Sequence, residues 1–517
     1  MTEFSNERGL HNCGGRDRRD LVPGERRKEP EMFNQAKRVM WTGAGWCAWL
    51  AILCAGGAAC NQLRLSPVND GGGTGGSTTW QTFSAETDLV LAIDDAEGMS
   101  SLQTKMLSQL PALLDVLQGA PNGPVDLHVG VLTSDTGVGK FELTQYGCPY
   151  GGNFGWFQSA PRAMCTASPL SNLSTGNGYF ETAGGANYSD SLANQIACVG
   201  AMGDTGCGFS SPLKSIRTAL ALPRTPAANQ GFLRPQALLA VVVLSNKDDC
   251  SVYDDSGLGD PTQTRMSDPL GPFTRFRCNE FGHLCQINGA LTHPPRGAAS
   301  DLQGCVSNET SADLNLTKVA DEVSALQLLK NNNPARILAA AITGPTAPYS
   351  IDMVQEAGAP EAHPQMHPSC QSATGESAEP AVRMQQWASA LGGTTYSICA
   401  DSFVPALQSI GQAIVDRASA MCFDGSSSPR NDGTNQPGCR VADLSVGLPA
   451  GQSGSLIFNC ADTGGASPCW TAVDDPVRCG SGVKSLVIRR VSPAPASSYV
   501  GINCAPCTQS DLGCLFV

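Results

Sequence analysis

The chain has 517 residues, 41% of them hydrophobic, with 57 glycines, 34 prolines and a net charge of −13 at neutral pH. That length suits two or more domains with separate cores, the Gly and Pro content demands long loops, and the acidic balance argues against a nucleic-acid surface. The 22 cysteines place it among exported, disulfide-bonded chains rather than cytosolic ones.

Residues 1–31 are polar, of mixed charge and rich in Arg and Glu, so they read as a disordered extension or as sequence upstream of the true start. From Met32, the basic pair Lys37 and Arg38 precedes an apolar run through Trp41, Trp46, Trp49 and Ile52 to Ala59, which reads as a signal peptide over 32–60. It ends Gly57-Ala58-Ala59-Cys60, similar to a lipoprotein signal in which Cys60 is acylated after cleavage. An ordinary cleaved signal and a single N-terminal membrane anchor are the alternatives, because about 20 apolar residues suffice to span a bilayer. Residues 61–87, with Gly71 to Ser77 at their centre, read as a flexible tether. Ten cysteines then fall between Cys148 and Cys399 and eight between Cys422 and Cys514, an even set without the repeated Cys-x-x-Cys pairs of a thiolate metal site.

The folded part opens with Leu89-Val90-Leu91-Ala92-Ile93, short enough for one buried strand, followed by the acidic turn Asp94-Asp95-Ala96-Glu97-Gly98. Leu102, Met106, Leu110, Leu113, Leu114 and Leu117 then mark one helical face, which Pro111 interrupts, so two half-helices or one kinked helix are expected. Strands are predicted over Leu127–Thr133, near Tyr179 and Phe180, and over Ala237–Leu244, Ile337–Thr343 and Thr394–Cys399. Helices are predicted over Leu192–Cys198, Pro212–Leu222, Leu316–Leu329, Ala381–Leu391 and Val404–Met421. Strands alternating with helices make an α/β domain, and Ala237–Leu244 is apolar throughout, as a parallel strand covered on both faces must be. In such a sheet ligands are held by loops at the carboxyl ends of strands, which points to Asp94. From Phe423 the texture changes: short strand candidates at Leu456–Phe458 and Leu486–Ile488 lie among Gly, Pro and eight nearby cysteines, and 423–517 reads as a small disulfide-stapled, β-containing module.

Leu89 to Gln103 resembles the opening of a von Willebrand factor type A domain, whose first strand ends in a metal-binding Asp-x-Ser-x-Ser. The resemblance covers roughly 88–422 and is most specific at Gly206-Cys207-Gly208-Phe209, Asp248-Asp249-Cys250-Ser251 and Phe276 to Gly282, which are similar to cysteine-rich bacterial surface lipoproteins. It implies a doubly wound, mostly parallel sheet flanked by helices, Rossmann-like in order, and a non-catalytic role in adhesion or protein binding at the cell surface. The aspartate survives as Asp94, but Ala96, Gly98 and Asn246 stand where the resemblance expects two serines and a second aspartate. Magnesium needs about six oxygen ligands in near-octahedral geometry, so no metal and no cofactor are expected.

Other oxygen donors remain in these loops: Asp95, Glu97, Ser100, Thr205, Asp248 and Asp249. A remodelled Mg or Ca site is therefore the alternative, since calcium accepts irregular carboxylate shells, although acidic loops at strand ends are expected to be merely solvated. The preferred disulfide is Cys198 to Cys207, on short separation. Cys504-Ala505-Pro506-Cys507 looks like a redox motif but lacks the βαβ context that lowers a thiol pKa, and a structural bridge is expected. His363 and His367 read as loop residues because Pro364 and Pro368 oppose a helix. With no nucleophile elbow or phosphate loop, no enzyme is expected, an envelope redox protein or enzyme being the remaining alternative. The sequence thus describes an exported protein of the cell envelope, expected to be an outer-membrane lipoprotein anchored through Cys60, with a protein ligand.

Overall fold

The computed structural model describes residues 81–504, apart from 84, 121–123, 162–164, 166–177, 184–185, 222–224, 236, 311–314, 356–360, 424–435, 446–453, 476–478, 480–482 and 492–497. The proposed signal peptide, Cys60 and Cys507 lie outside the described residues. Among the described residues no helix is long and apolar enough to cross a membrane.

The central sheet is built from β1 (Glu86–Ile93), β2 (Asp126–Thr133), β3 (Phe180–Glu181), β4 (Leu238–Leu244), β5 (Ile337–Thr343) and β6 (Thr394–Ser397). Its order is β6-β5-β4-β1-β2-β3, all parallel except the short edge strand β3. The chain therefore starts in the middle of the sheet, winds out to one edge and returns past β1 to build the other half, the doubly wound pattern of the von Willebrand A-like fold. Every residue of β4 and β5 is buried, which accounts for the unbroken apolar run of β4 and for that of β5 up to its last residue, Thr343.

Alternate residues of β1 feed two cores. Leu89, Leu91 and Ile93 pack under α1 (Ser100–Gln109), α2 (Pro111–Gln118), α3 (Leu192–Gly200) and α8 (Val404–Ala418). Val90 and Ala92 face α4 (Pro212–Leu220), α6 (Val319–Leu329) and α7 (Val382–Ala390), where Trp387 is the largest buried side chain. The break between α1 and α2 falls at Leu110–Pro111, because proline has no N–H to continue the first helix but fits the first turn of a second.

Two features were not legible in the sequence. Between β4 and α7, α5 (Phe276–Gly282) leads into a five-stranded antiparallel sheet that orders His363–His367, Tyr349–Val354, Ser300–Ser307, His283–Ile287 and Ala290–Thr292, stapled by Cys285–Cys305. His363 and His367 thus belong to a strand, not a loop; its residues alternate inward and outward against Tyr349–Val354, and its single proline, Pro364, is compatible with an edge strand. Secondly, the stretch read as tether, 61–87, ends in ordered structure. Gln81–Phe83 pairs with Ser498–Asn503 as the edge of a seven-stranded C-terminal sheet, and Glu86 and Thr87 already belong to β1. That sheet packs Val441, Ile457, Trp470, Leu486, Val500 and Ile502 into a core of its own.

Eight disulfides join described residues, the mark of a chain that matures in an oxidising compartment. The expected Cys198–Cys207 pair is not among them. Cys207 bonds Cys148 across 59 residues and Cys198 bonds Cys165 across 33. The cause is the direction of each side chain: Cys207 and Cys148 meet in a small core with Leu143, Phe209, Cys250 and Cys278, whereas Cys198 is fixed within α3. Cys504 bonds Cys439, a structural bridge.

Candidate functional site

Ile93, at the end of β1, is level with Thr133 of β2 and Leu244 of β4. The first residue past each of these neighbouring strands is consequently also level, and those residues are Asp94, Ser134 and Ser245. The Asp94 N–H donates to Leu244 O at 2.9 Å, which carries the ladder one residue further and fixes the aspartate at the point where the winding reverses.

The Asp94 carboxylate is enclosed by hydroxyls. Ser134 Oγ donates to its Oδ1 at 2.6 Å and Ser245 Oγ to its Oδ2 at 2.7 Å. Ser210 Oγ, in the turn before α4, lies 2.9 Å and 3.0 Å from the two oxygens, and the Ala96 N–H donates to Oδ1 at 3.0 Å. Asp94 and the three serines are all fully buried. A carboxylate offers about four acceptor directions, so this one is saturated by the protein itself. The buried acid within β1, Asp88, is neutralised instead, by Arg234 Nε at 2.8 Å and Lys330 Nζ at 3.2 Å.

Ala96, Gly98 and Asn246 lie in the loops around Asp94. Ala96 is fully buried and contributes only its N–H. Gly98 has φ of +85°, and a Cβ there would lie 3.1 Å from Asn246 Nδ2, so the backbone as well as the neighbour opposes a side chain. Asn246 Nδ2 donates to Glu97 O at 3.2 Å, while its buried Oδ1 has no hydrogen-bond partner. These residues do not fit a hexacoordinate divalent ion. The surviving carboxylate is saturated and shut away from solvent, and the side-chain oxygen that Asn246 adds, its unpartnered Oδ1, is uncharged. Among the described residues no group of three or more His, Cys, Asp or Glu side chains is arranged to hold a metal.

The acidic loops are not merely solvated: Asp95, Asp135, Asp248 and Asp249 are all buried. Gly206 N donates to Asp95 O at 2.8 Å, and a Cβ on Gly206 would fall 2.4 Å from the Asp95 carboxyl carbon, so only glycine lets that loop close over the turn. Burial, with the charge of Asp94 adding to it, pushes the Asp135 carboxyl up to about 6 against the opposing hydrogen bond from Gly137 N–H. Asp248 and Asp249 hold helices. Asp248 accepts from the N–H groups of Arg383 and Met384 at the start of α7, at 2.9 and 3.0 Å, and Asp249 accepts from Leu213 N–H at the start of α4, at 3.2 Å. Each acid thus satisfies orphan donors of a helix distant in sequence and lies at its positive end. Burial alone would raise the Asp248 pKa, but the His283 hydrogen bond at 2.7 Å, together with the His283 charge and the Arg383 interactions, leaves it lowered. Asp249 is also paired with the buried Arg383 guanidinium at 2.9 Å.

Ser134, Ser210 and Ser245 were not singled out by the sequence. For Ser134 and Ser245 a signal was present, since each is the first residue after a predicted strand; Ser210 has none, because only tertiary packing brings α4 to Asp94.

Fold and site together make a doubly wound domain of von Willebrand A-like fold, with a hydroxyl-capped aspartate at the strand end where the sequence resemblance expects an ion. No protein-family profile matches the chain, and no curated protein matches it. Solved structures similar to it include the pilus adhesin SpaC from Lactobacillus rhamnosus GG in its open conformation, at 10% identity and a TM-score of 0.26, covering 81% of this chain and 38% of that one. A von Willebrand factor type A protein from Catenulispora acidiphila is 10% identical, with a TM-score of 0.25, over 83% of this chain and 60% of that one. BatB from Bacteroides thetaiotaomicron is 10% identical, with a TM-score of 0.24, over 65% and 99%. The chain spans less than two thirds of the length of the first two. At these identities and scores the likenesses do not bear on function.

Proposed function

We propose that the chain is a non-catalytic binding protein of the cell envelope, acting in adhesion or protein recognition through the loops at the carboxyl end of the central sheet, without a metal ion. The observation that carries this is the saturated Asp94 carboxylate: the group best placed to hold a cation spends its acceptors on Ser134, Ser210, Ser245 and Ala96. A partner carboxylate completing an ion's shell is then unavailable as a mode of capture, and contact falls to the loops themselves. Export is supported by the disulfides and by the leader sequence. Anchoring through Cys60 is tested by Cys60→Ser, which should move the protein from the membrane fraction to the soluble one.

Thermal melts in chelator, in millimolar magnesium and in millimolar calcium test the central claim. A ligand that binds only the native state raises its stability by about 2.7 kcal/mol at a hundredfold excess over Kd, so superimposable curves are expected and a metal-dependent rise refutes the reading. Cross-linking on intact cells should recover the same partners with and without chelator; chelator-sensitive capture points to a remodelled ion site instead.

A further inference from the structure

A second site adjoins the loop after β2. The segment from Cys148 to Trp156 is tied down along its length: Cys148 to Cys207 by a disulfide, Tyr150 N–H to Glu142 Oε2 at 3.0 Å, Asn153 N–H to Asp135 O at 2.9 Å and Asn153 Nδ2 to Thr133 Oγ1 at 2.8 Å. This rigid loop nevertheless holds three aromatic side chains half out in solvent: Tyr150 at 51%, Phe154 at 51% and Trp156 at 50% exposure. Phe154 does so at a φ of 50°, in the left-handed region that sterically disfavours an L-residue. Apolar surface and backbone strain concentrated on one rigid loop mark a binding surface.

The rings border a pocket of about 480 Å³, completed by Thr136, Lys214, Thr218 and Asp254. Lys214 Nζ lies 2.8 Å from Asp254 Oδ1, and the Asp254 side chain is still 44% exposed. Thr136 is nine-tenths buried, and its hydroxyl has no hydrogen-bond partner.

We propose that this pocket binds a neutral glycan through a pyranose ring. Such a ring has an apolar C–H face suited to aromatic surfaces and a rim of adjacent hydroxyls that both donate and accept. Asp254 supplies an acceptor beside a Lys214 donor, matching neighbouring hydroxyls. Their charges cancel, which favours a neutral ligand, and the chain's net charge of −13 opposes an anionic polymer. The volume lies within the roughly 300–1,000 Å³ of ordinary ligand sites, and a tethered loop loses little entropy on binding. A proline-rich peptide would use the same aromatic surfaces but would leave the Lys214–Asp254 pair without a role. The site stands whether or not the Asp94 loops bind a partner.

Isothermal titration of the full mature chain with chitotetraose, maltotetraose and lacto-N-tetraose tests the proposal, with decaproline as the competing probe. Saturable binding of at least one tetrasaccharide is expected, weakened at least tenfold by Trp156→Ala and by Asp254→Asn. Both side chains are well exposed, and unchanged melting temperatures verify that the variants are folded. Failure of all three sugars to bind, retention of sugar binding by either variant, or binding of decaproline alone overturns it.

Discussion

Replacing Asp94 by Asn distinguishes a hydroxyl cage from an empty metal site, because the two predict opposite signs. In a site built for a cation and lacking it, a buried carboxylate is an uncompensated charge, and the isosteric amide relieves it. In the cage described here the charge is already met by donors, and the amide must lose some of them. Asn Oδ1 can still accept from Ala96 N–H and Ser134 Oγ, which lie 3.0 and 2.6 Å from the present Oδ1. Ser245 adapts readily: its hydroxyl can turn to Lys247 O, 2.8 Å away, and accept from the new amide. Ser210, 2.9 Å from the retained Oδ1 and 3.0 Å from the replaced oxygen, must then share an Oδ1 that already accepts two other donors, and its charge-assisted bond is weakened. Hydrogen bonds to charged groups contribute about 1.5–3 kcal/mol and neutral ones about half that, so the net loss should be about 2 kcal/mol. Urea unfolding in chelator measures it as a lowered midpoint at unchanged slope. A variant as stable as the parent, or more stable, refutes the cage, as does a magnesium-induced rise in the parent that Asp94→Asn abolishes.

Asp249→Ala should cost about 3–5 kcal/mol, because it leaves the fully buried Arg383 unpaired and uncaps α4; urea midpoints read it, and a loss below 1 kcal/mol contradicts the capping role. Asp135 gives a pH signature. Its folded pKa of about 6 exceeds the ordinary 3.8, so between these values the folded state holds more protons than the unfolded one. Stability contributed by the protonated form is therefore full below about pH 4 and falls as pH rises to about 6, by about 3 kcal/mol in all. Asp135→Asn should flatten that part of the stability profile and raise stability at pH 7; a parallel profile for the variant shows that Asp135 titrates normally. Cys148→Ser opens a 59-residue loop and should cost about 4 kcal/mol by loop-closure entropy, with a fall in melting temperature as the readout.

The cage and the pocket share one architectural cause. Parallel strands end level, so their first loop residues converge, and each loop can be remade without disturbing the buried strands beneath. Ala96, Gly98 and Asn246 alter the loops after β1 and β4, while Ala92, four residues before Ala96, and Val243, three before Asn246, remain in the core.

Hydrophobic periodicity in the sequence determined the α/β class, the fully buried β4 and β5, the break at Pro111 and the position of Asp94 at a strand end. These follow from local pattern, because a strand covered on both faces must be apolar throughout and a helix cannot pass a proline unbroken. Tertiary structure alone decided that Ser210 reaches Asp94 across 116 residues, that Asp248 and Asp249 cap α7 and α4, and that Cys207 pairs with Cys148 instead of the nearer Cys198. It also decided that Gln81–Phe83 joins a sheet whose other strands begin more than 300 residues later. A polar side chain's partner depends on which distant element packs over it, and periodicity records only whether a position faces inward, not what it meets there.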